Sequence, residues 1–141
     1  MDPPAAVSTA PDSPRVRIER AAEGLLYTSE GDYPFDWVSL PGTPAETLTP
    51  EAFAALVGHP GAPAAEITLD EFFARHVERV HPQDAVAMAQ VPRYQALRET
   101  LRATLGHARV FRLDGTSSIE CYVVGRLSDG VGGLHTVSIE T

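Results

Sequence analysis

The hydrophobic period of the sequence changes near residue 106, and this change constrains the fold more than any other feature. Before it, apolar residues recur at helical spacing; the longer stripe is Tyr94, Leu97, Leu101 and Leu105, and the shorter one is Ile18, Ala21, Ala22 and Leu25. After it come three runs rich in β-branched and aromatic residues, 109–113, 119–127 and 134–139, separated by Gly, Ser and Asp. The first pattern is typical of helices and the second of strands with short connections. The chain therefore combines helices with an antiparallel sheet.

Local signals predict where the helices begin. Thr49 precedes Pro50, which suits an N-cap followed by proline at the first helical position. Thr68 is followed three residues later by Glu71, the spacing of a capping box. Pro92 is expected to open the long helix, over about 92–105, and Gly106 to close it.

The strand pattern predicts the layers. A further run at 33–38 brings the expected antiparallel sheet to about four strands. The run 121–124 is apolar at every position, as expected of a central strand that is covered on both faces. We therefore expect the α/β (α+β) class, with a three-layer α/β/α sandwich built on one antiparallel sheet.

Length and composition predict a single domain. The 141 residues fit one domain, and residues 1–14 are so rich in proline and poor in large apolar residues that we expect a disordered tail. The folded domain should span 15–141. We find no leader pattern and no apolar run of membrane-spanning length, so a cytoplasmic protein, monomeric when free and without contact to a membrane, is expected.

The net charge of −8 is concentrated in one part of the chain. Residues 19–84 hold twelve acidic residues against three arginines, whereas residues 85–141 hold five against six. Direct binding to nucleic acid needs a basic footprint and is disfavoured. An acidic surface instead suits a basic partner, although solubility alone explains the same charge.

The search for catalytic signatures predicts a protein that is not an enzyme and has no cofactor or metal site of its own. His76 and His81 flank Glu78, but their spacing places the imidazoles on different helix faces, so a solvent-exposed helix end is expected. Cys121 and His135 lie on neighbouring strands, and a Cys–His nucleophile pair is the one catalytic alternative. The apolar run around Cys121 favours a buried, reduced thiol instead.

Two oxygen-bearing features remain as candidate binding sites. One is the acidic turn Ser29–Asp32, in which Glu30 is the residue that turn propensity does not explain. The other is the end of the sequence, where Glu140 and Thr141 directly follow the last strand run and form an oxygen-rich tip near the sheet edge.

These features also carry a resemblance to a known family. Residues 24–35 resemble the "GLL..SE..YPF" segment of the nuclease A inhibitor family, and residues 69–73 resemble its "D.FF" helix start. Residues 110–113 and 121–125 resemble its "VYRLG…VYVIG" strand pair, and the sequence finishes on the same "ET". The similarity extends from about residue 17 to residue 141, in the same order and at similar spacing.

The resemblance implies a fold and a function. Its members share an α/β/α sandwich similar to that of pathogenesis-related-1 proteins, and they inhibit Mg-dependent, sugar-nonspecific DNA/RNA endonucleases of the ββα-metal type without catalysis. Their contacts include the glutamate of the "SE" pair and the C-terminal threonine, which correspond to Glu30 and Thr141 here. Ser29, Asp32 and Glu140 are expected beside them, with Thr141 approaching the magnesium ion of the nuclease.

One departure from the family motivates an alternative. Members can carry a tryptophan-containing acidic insertion that makes a further contact, whereas the corresponding residues 78–91 are shorter here and contain no tryptophan. The only tryptophan, Trp37, lies in the first strand run. The alternative function is a binding module of the same fold that engages a different basic partner.

Overall fold

The computed structural model describes residues 13–115 and 117–140. Its helices are α1 (Pro14–Ala22), α2 (Pro50–Leu56), α3 (Leu69–Phe73) and α4 (Ala85–Thr104), with 3-10 turns at Ala45–Thr47 and Ala74–His76. Its strands are β1 (Leu26–Thr28), β2 (Asp32–Pro34), β3 (Asp36–Pro41), β4 (Ala64–Ile67), β5 (Gly106–Asp114), β6 (Ser118–Leu127) and β7 (Gly130–Ile139). The protein is a mixed α+β domain, as the change of period predicts.

The main sheet has five antiparallel strands in the order β3-β7-β6-β5-β4, so the expectation of about four strands was wrong. The missed strand is β4, which pairs with β5 at the sheet edge. Its sequence, AAEI, is short and contains two alanines, which have little strand preference. It is a strand because it pairs with β5, and no local sequence pattern indicates it.

The predicted strand at 33–38 divides into two. Asp32–Pro34 forms β2 and pairs with β1 in a separate two-stranded hairpin, whereas Asp36–Pro41 forms β3 and pairs with β7 in the main sheet. Because Pro34 has no N–H to give to a ladder, it suits the end of the short hairpin strand better than the interior of a longer strand. The break at Phe35 leaves the β1–β2 hairpin as a separate element.

Successive residues of β6 divide between two apolar clusters. Cys121 and Val123 belong to a cluster that includes residues of α1, α3 and α4, whereas Tyr122 and Val124 belong to one that includes Phe53 of α2. Strand side chains alternate between the two faces of a sheet, so apolar side chains are packed on both faces of β6. This double burial explains why the run 121–124 is apolar throughout.

The helix caps follow the sequence, except for the start of α4. The hydroxyls of Thr49 and Thr68 accept from the backbone N–H groups of Ala52 and Glu71 at 3.1 and 3.0 Å, as predicted. Pro92, however, lies inside α4, which begins seven residues earlier, at Ala85. Asp84 caps that start by accepting from the N–H of Ala87 at 3.0 Å, and the alanine-rich turn after it extends the helix N-terminally.

The start of the described chain is also a capped helix. Ser13 accepts from the N–H of Val16 at 3.2 Å and Pro14 is the first residue of α1, while residues 1–12 of the predicted tail lie outside the described residues. Within the described ranges, no helix is long and apolar enough to cross a membrane.

Candidate functional site: an anchored acidic turn

The acidic turn connects the two strands of the β1–β2 hairpin. Thr28 pairs with Asp32 across the hairpin, and the backbone N–H of Ser29 donates to the carbonyl of Gly31 at 2.9 Å. The Ser29 hydroxyl donates to the same carbonyl at 3.1 Å. The turn is therefore closed by its own hydrogen bonds, as the Ser, Gly and Asp residues predict.

The same turn is attached to the end of β7. The backbone N–H of Ile139 donates to the Ser29 hydroxyl oxygen at 2.9 Å, and the N–H of Glu30 donates to the Ile139 carbonyl at 3.3 Å. At Gly31 a Cβ atom would lie 3.0 Å from Cγ1 of Ile139, so glycine permits this close approach. The structure thus brings together the acidic turn and the end of the last strand. Thr141, the other member of the predicted tip, lies outside the described residues.

Glu140 is held by an internal network. Nη2 of Arg112 lies 2.8 and 2.9 Å from its two carboxylate oxygens, and the hydroxyl of the buried Ser138 donates to it at 2.7 Å. Partial burial acts to raise the pKa of Glu140, but the hydrogen bond from Ser138 and the charge of Arg112 outweigh it, and the pKa lies below its ordinary value. The carboxylate therefore helps to fix the strand end on which the turn rests.

Glu30 and Asp32 are exposed on the turn, and the neighbouring Tyr33 is 38% exposed. Two carboxylates and an aromatic side chain are therefore exposed within residues 30–33. An exposed acidic surface beside an aromatic side chain is suited to contact with a basic protein surface.

Thr28, the residue before the turn, is held by residues that the sequence did not reveal. His76 is buried, at 6% exposure, and its Nε2 lies 3.0 Å from the backbone nitrogen of Thr28 and 2.8 Å from the Thr28 hydroxyl. Burial, together with the charge of Arg75, lowers the pKa of His76 to about 4. The prediction of a solvent-exposed helix end was therefore wrong for His76. The signal was its spacing of four residues from Phe72, which places both on one helical side.

The Cys121–His135 alternative does not form a nucleophile pair. Cys121 pairs with Thr136 and Tyr122 pairs with His135, so the thiol and the imidazole lie on opposite faces of the sheet. Burial raises the pKa of Cys121 to about 12, and Nε2 of His135 lies 2.6 Å from Oε1 of Glu120. The thiol is neither ionised nor in contact with a base.

Fold and site together define a small α+β domain that presents an acidic turn fixed against the end of its sheet. Residues 15–141 match the family model described as nuclease A inhibitor-like protein, and the chain belongs to that family. No curated protein gives a significant match. The resemblance carried by the "SE..YPF" segment and the strand pair is confirmed.

Proposed function

We propose that the protein is a non-catalytic inhibitor that binds and blocks the active site of a metal-dependent, sugar-nonspecific DNA/RNA endonuclease. The observation that carries this proposal is the attachment of the Glu30 turn to Ile139, in a chain of the nuclease A inhibitor-like family. Glu30 is the principal contact, Asp32 adds negative charge beside it, and Ser29 and Glu140 hold the turn and the strand end in place. Thr141 is proposed to approach the magnesium ion of the nuclease.

Preorganisation of the turn supports this proposal. A nuclease of this kind holds Mg²⁺ in a cleft that accepts phosphate, and Mg²⁺ prefers hard oxygen ligands and retains bound water. A carboxylate on a turn that is already ordered loses little conformational entropy when it enters such a cleft. The net charge of −8 favours approach to basic walls.

The proposal is tested with the ββα-metal endonuclease of the same genome in a plasmid-cleavage assay. Glu30→Ala should weaken inhibition by about 2–5 kcal/mol, the usual cost of losing a central charged contact. Glu51→Ala is the matched control, because Glu51 is also exposed and carries the same charge, but lies in α2 on the other side of the sheet. Unimpeded cleavage with excess wild-type protein, or equal inhibition by the two variants, would contradict the proposal.

A second candidate is a binding module of the same fold for a different basic partner. It is favoured by the absence of tryptophan from residues 78–91, since a buried aromatic anchor is often an interface hot spot. Affinity capture on immobilised wild-type protein, with Glu30→Ala as the control, distinguishes the two. A basic partner without nuclease activity that depends on Glu30 supports this candidate and contradicts nuclease inhibition.

We extend the proposal to the organisation of the chain. Helices packed against both faces of β6 support a three-layer α/β/α sandwich like that of pathogenesis-related-1 proteins, within one domain at 15–141. We also propose that the protein is a cytoplasmic monomer before it binds the nuclease.

A further inference from the structure

Every polar group of Thr28, the residue before the acidic turn, is bound by two consecutive residues. The backbone N–H and the hydroxyl of Thr28 both contact Nε2 of His76, at 3.0 and 2.8 Å. Nη1 of Arg75 donates to the carbonyl oxygen of Thr28 at 3.0 Å. Arg75 and His76 belong to the 3-10 turn Ala74–His76, so a segment far away in sequence holds the start of the turn. We call these two residues the Thr28 clamp.

The clamp requires a neutral imidazole. Because Nε2 accepts the Thr28 N–H, the ring proton must lie on Nδ1, which is buried and has no hydrogen-bond partner among the described residues. The ring is stacked on Tyr94 with centroids 4.3 Å apart and lies 5.0 Å from the ring of Tyr27. These ring contacts restrict the movement of the imidazole.

The surroundings of His76 also favour the neutral imidazole. Arg75 is its immediate neighbour, Tyr27 of β1 and Tyr94 of α4 pack on its ring, and Thr28 faces Nε2. A cleft of about 370 Å³ beside the imidazole is lined further by Arg79, His81 and Asp84. Burial of the ring, together with the positive charge of Arg75, opposes a second proton on it and keeps the pKa of His76 low.

The clamp adds a second attachment, one residue before the attachment to β7. Thr28 is held by His76, and the next residue, Ser29, is held by the N–H of Ile139. The two attachments lie on adjacent residues, directly before Glu30. We propose that neutral His76, with Arg75, is a positioning residue that holds the Glu30 turn in the conformation presented to the nuclease. The inference rests on the proposed function for its partner, but not for the clamp itself.

The clamp is tested first in the free protein, by amide hydrogen exchange measured by NMR. His76→Phe keeps a buried ring and removes the acceptor, whereas His76→Gln restores an acceptor in the region of Nε2. The amides to follow are those of Glu30 and Ile139, because their hydrogen bonds are made between the turn and β7. His76→Phe should speed their exchange at least about tenfold relative to the Val123 amide in the core, and His76→Gln should recover most of the protection. Unchanged exchange at both amides in His76→Phe overturns the clamp.

The link to inhibition is tested by a double-mutant cycle in the plasmid-cleavage assay. His76→Phe should weaken inhibition at least about tenfold when Glu30 is present and much less in the Glu30→Ala background, because it acts through the position of Glu30. Phe53→Leu, in the second cluster, is the control for lost stability and should leave inhibition unchanged. Additive effects of His76→Phe and Glu30→Ala overturn the positioning role. If the wild type does not inhibit, the proposed function fails, and hydrogen exchange alone decides the clamp.

Discussion

Ser29 joins the acidic turn to the sheet through one hydroxyl group. Its oxygen accepts the N–H of Ile139 and its proton is donated to the carbonyl of Gly31, so the side chain both closes the turn and attaches it. Glu30 carries the charge, but Ser29 and Thr28 determine where that charge is held.

Ser29→Ala should therefore lower the free energy of unfolding by about 1–2 kcal/mol, because the half-buried N–H of Ile139 loses its acceptor. It should also weaken inhibition, since the turn loses one of the two hydrogen bonds that join it to Ile139. Chemical denaturation and the plasmid-cleavage assay measure the two effects. Ser39→Ala is the control, because Ser39 is exposed on β3 and makes no side-chain hydrogen bond within the described residues. Equal behaviour of the two serine variants would contradict the role of Ser29.

His76 gives the stability a defined dependence on pH. Its pKa in the folded protein is about 4, below the ordinary value of 6.5, so between these values the unfolded chain binds a proton that the folded protein does not. The free energy of unfolding should therefore fall as the pH is lowered from 6.5 to 4, by up to about 1.4 kcal/mol per pH unit from this group.

Denaturation of the wild type and of His76→Gln at a series of pH values isolates this contribution. The variant should lose less stability over the same interval, because Gln does not titrate. Other acid-sensitive groups, including Glu140 with its lowered pKa, are present in both proteins and cancel in the difference. Parallel pH profiles would show that His76 is not held neutral.

At the scale of elements, the hairpin and α4 differ in how they are stabilised. The β1–β2 hairpin has only three residues in each strand and depends on attachments to β7 and to the Thr28 clamp. The twenty-residue α4 is stabilised by its buried stripe Tyr94, Leu97 and Leu101, and it tolerates an exposed proline in its interior. Pro92 lacks an N–H and cannot donate to the carbonyl of Met88.

Pro92→Ala should accordingly raise the free energy of unfolding, by about 1–2 kcal/mol, since the cost of an interior proline is partly offset by its effect on the unfolded chain. Urea denaturation measures the change. A loss of stability would show that the proline is required for the path of α4.

Sequence patterns predict those elements that are determined by residues close to one another in the chain. The caps at Thr49 and Thr68, the stripe of α4 and the runs of β5, β6 and β7 depend on neighbouring residues, and they were predicted. Strand β4 depends on pairing with β5. The attachment of Ser29 to Ile139 and the clamp on Thr28 join residues 110 and 48 positions apart, which no local pattern specifies. The acidic turn and the strand end were therefore identified from the sequence, but the hydrogen bonds that join them were not.

In the whole molecule, the sheet fixes the position of the turn, and the net negative charge favours encounter with a basic partner. Apolar clusters on both faces of β6 fix β7, and the end of β7 fixes the turn. The acidic excess lies in residues 19–84, which include the turn, and the negative charge favours encounter with a basic surface. Binding by a preformed turn predicts small backbone changes between the free and the bound protein.

Hydrogen exchange of the whole chain, free and saturated with the endonuclease, tests whether the nuclease binds the Glu30 turn. We expect new protection concentrated in residues 28–33 and 138–141, with α2 unchanged on the other side of the sheet. Protection confined to α2 and the loop before it, with the Glu30 turn exchanging as in the free protein, would contradict it.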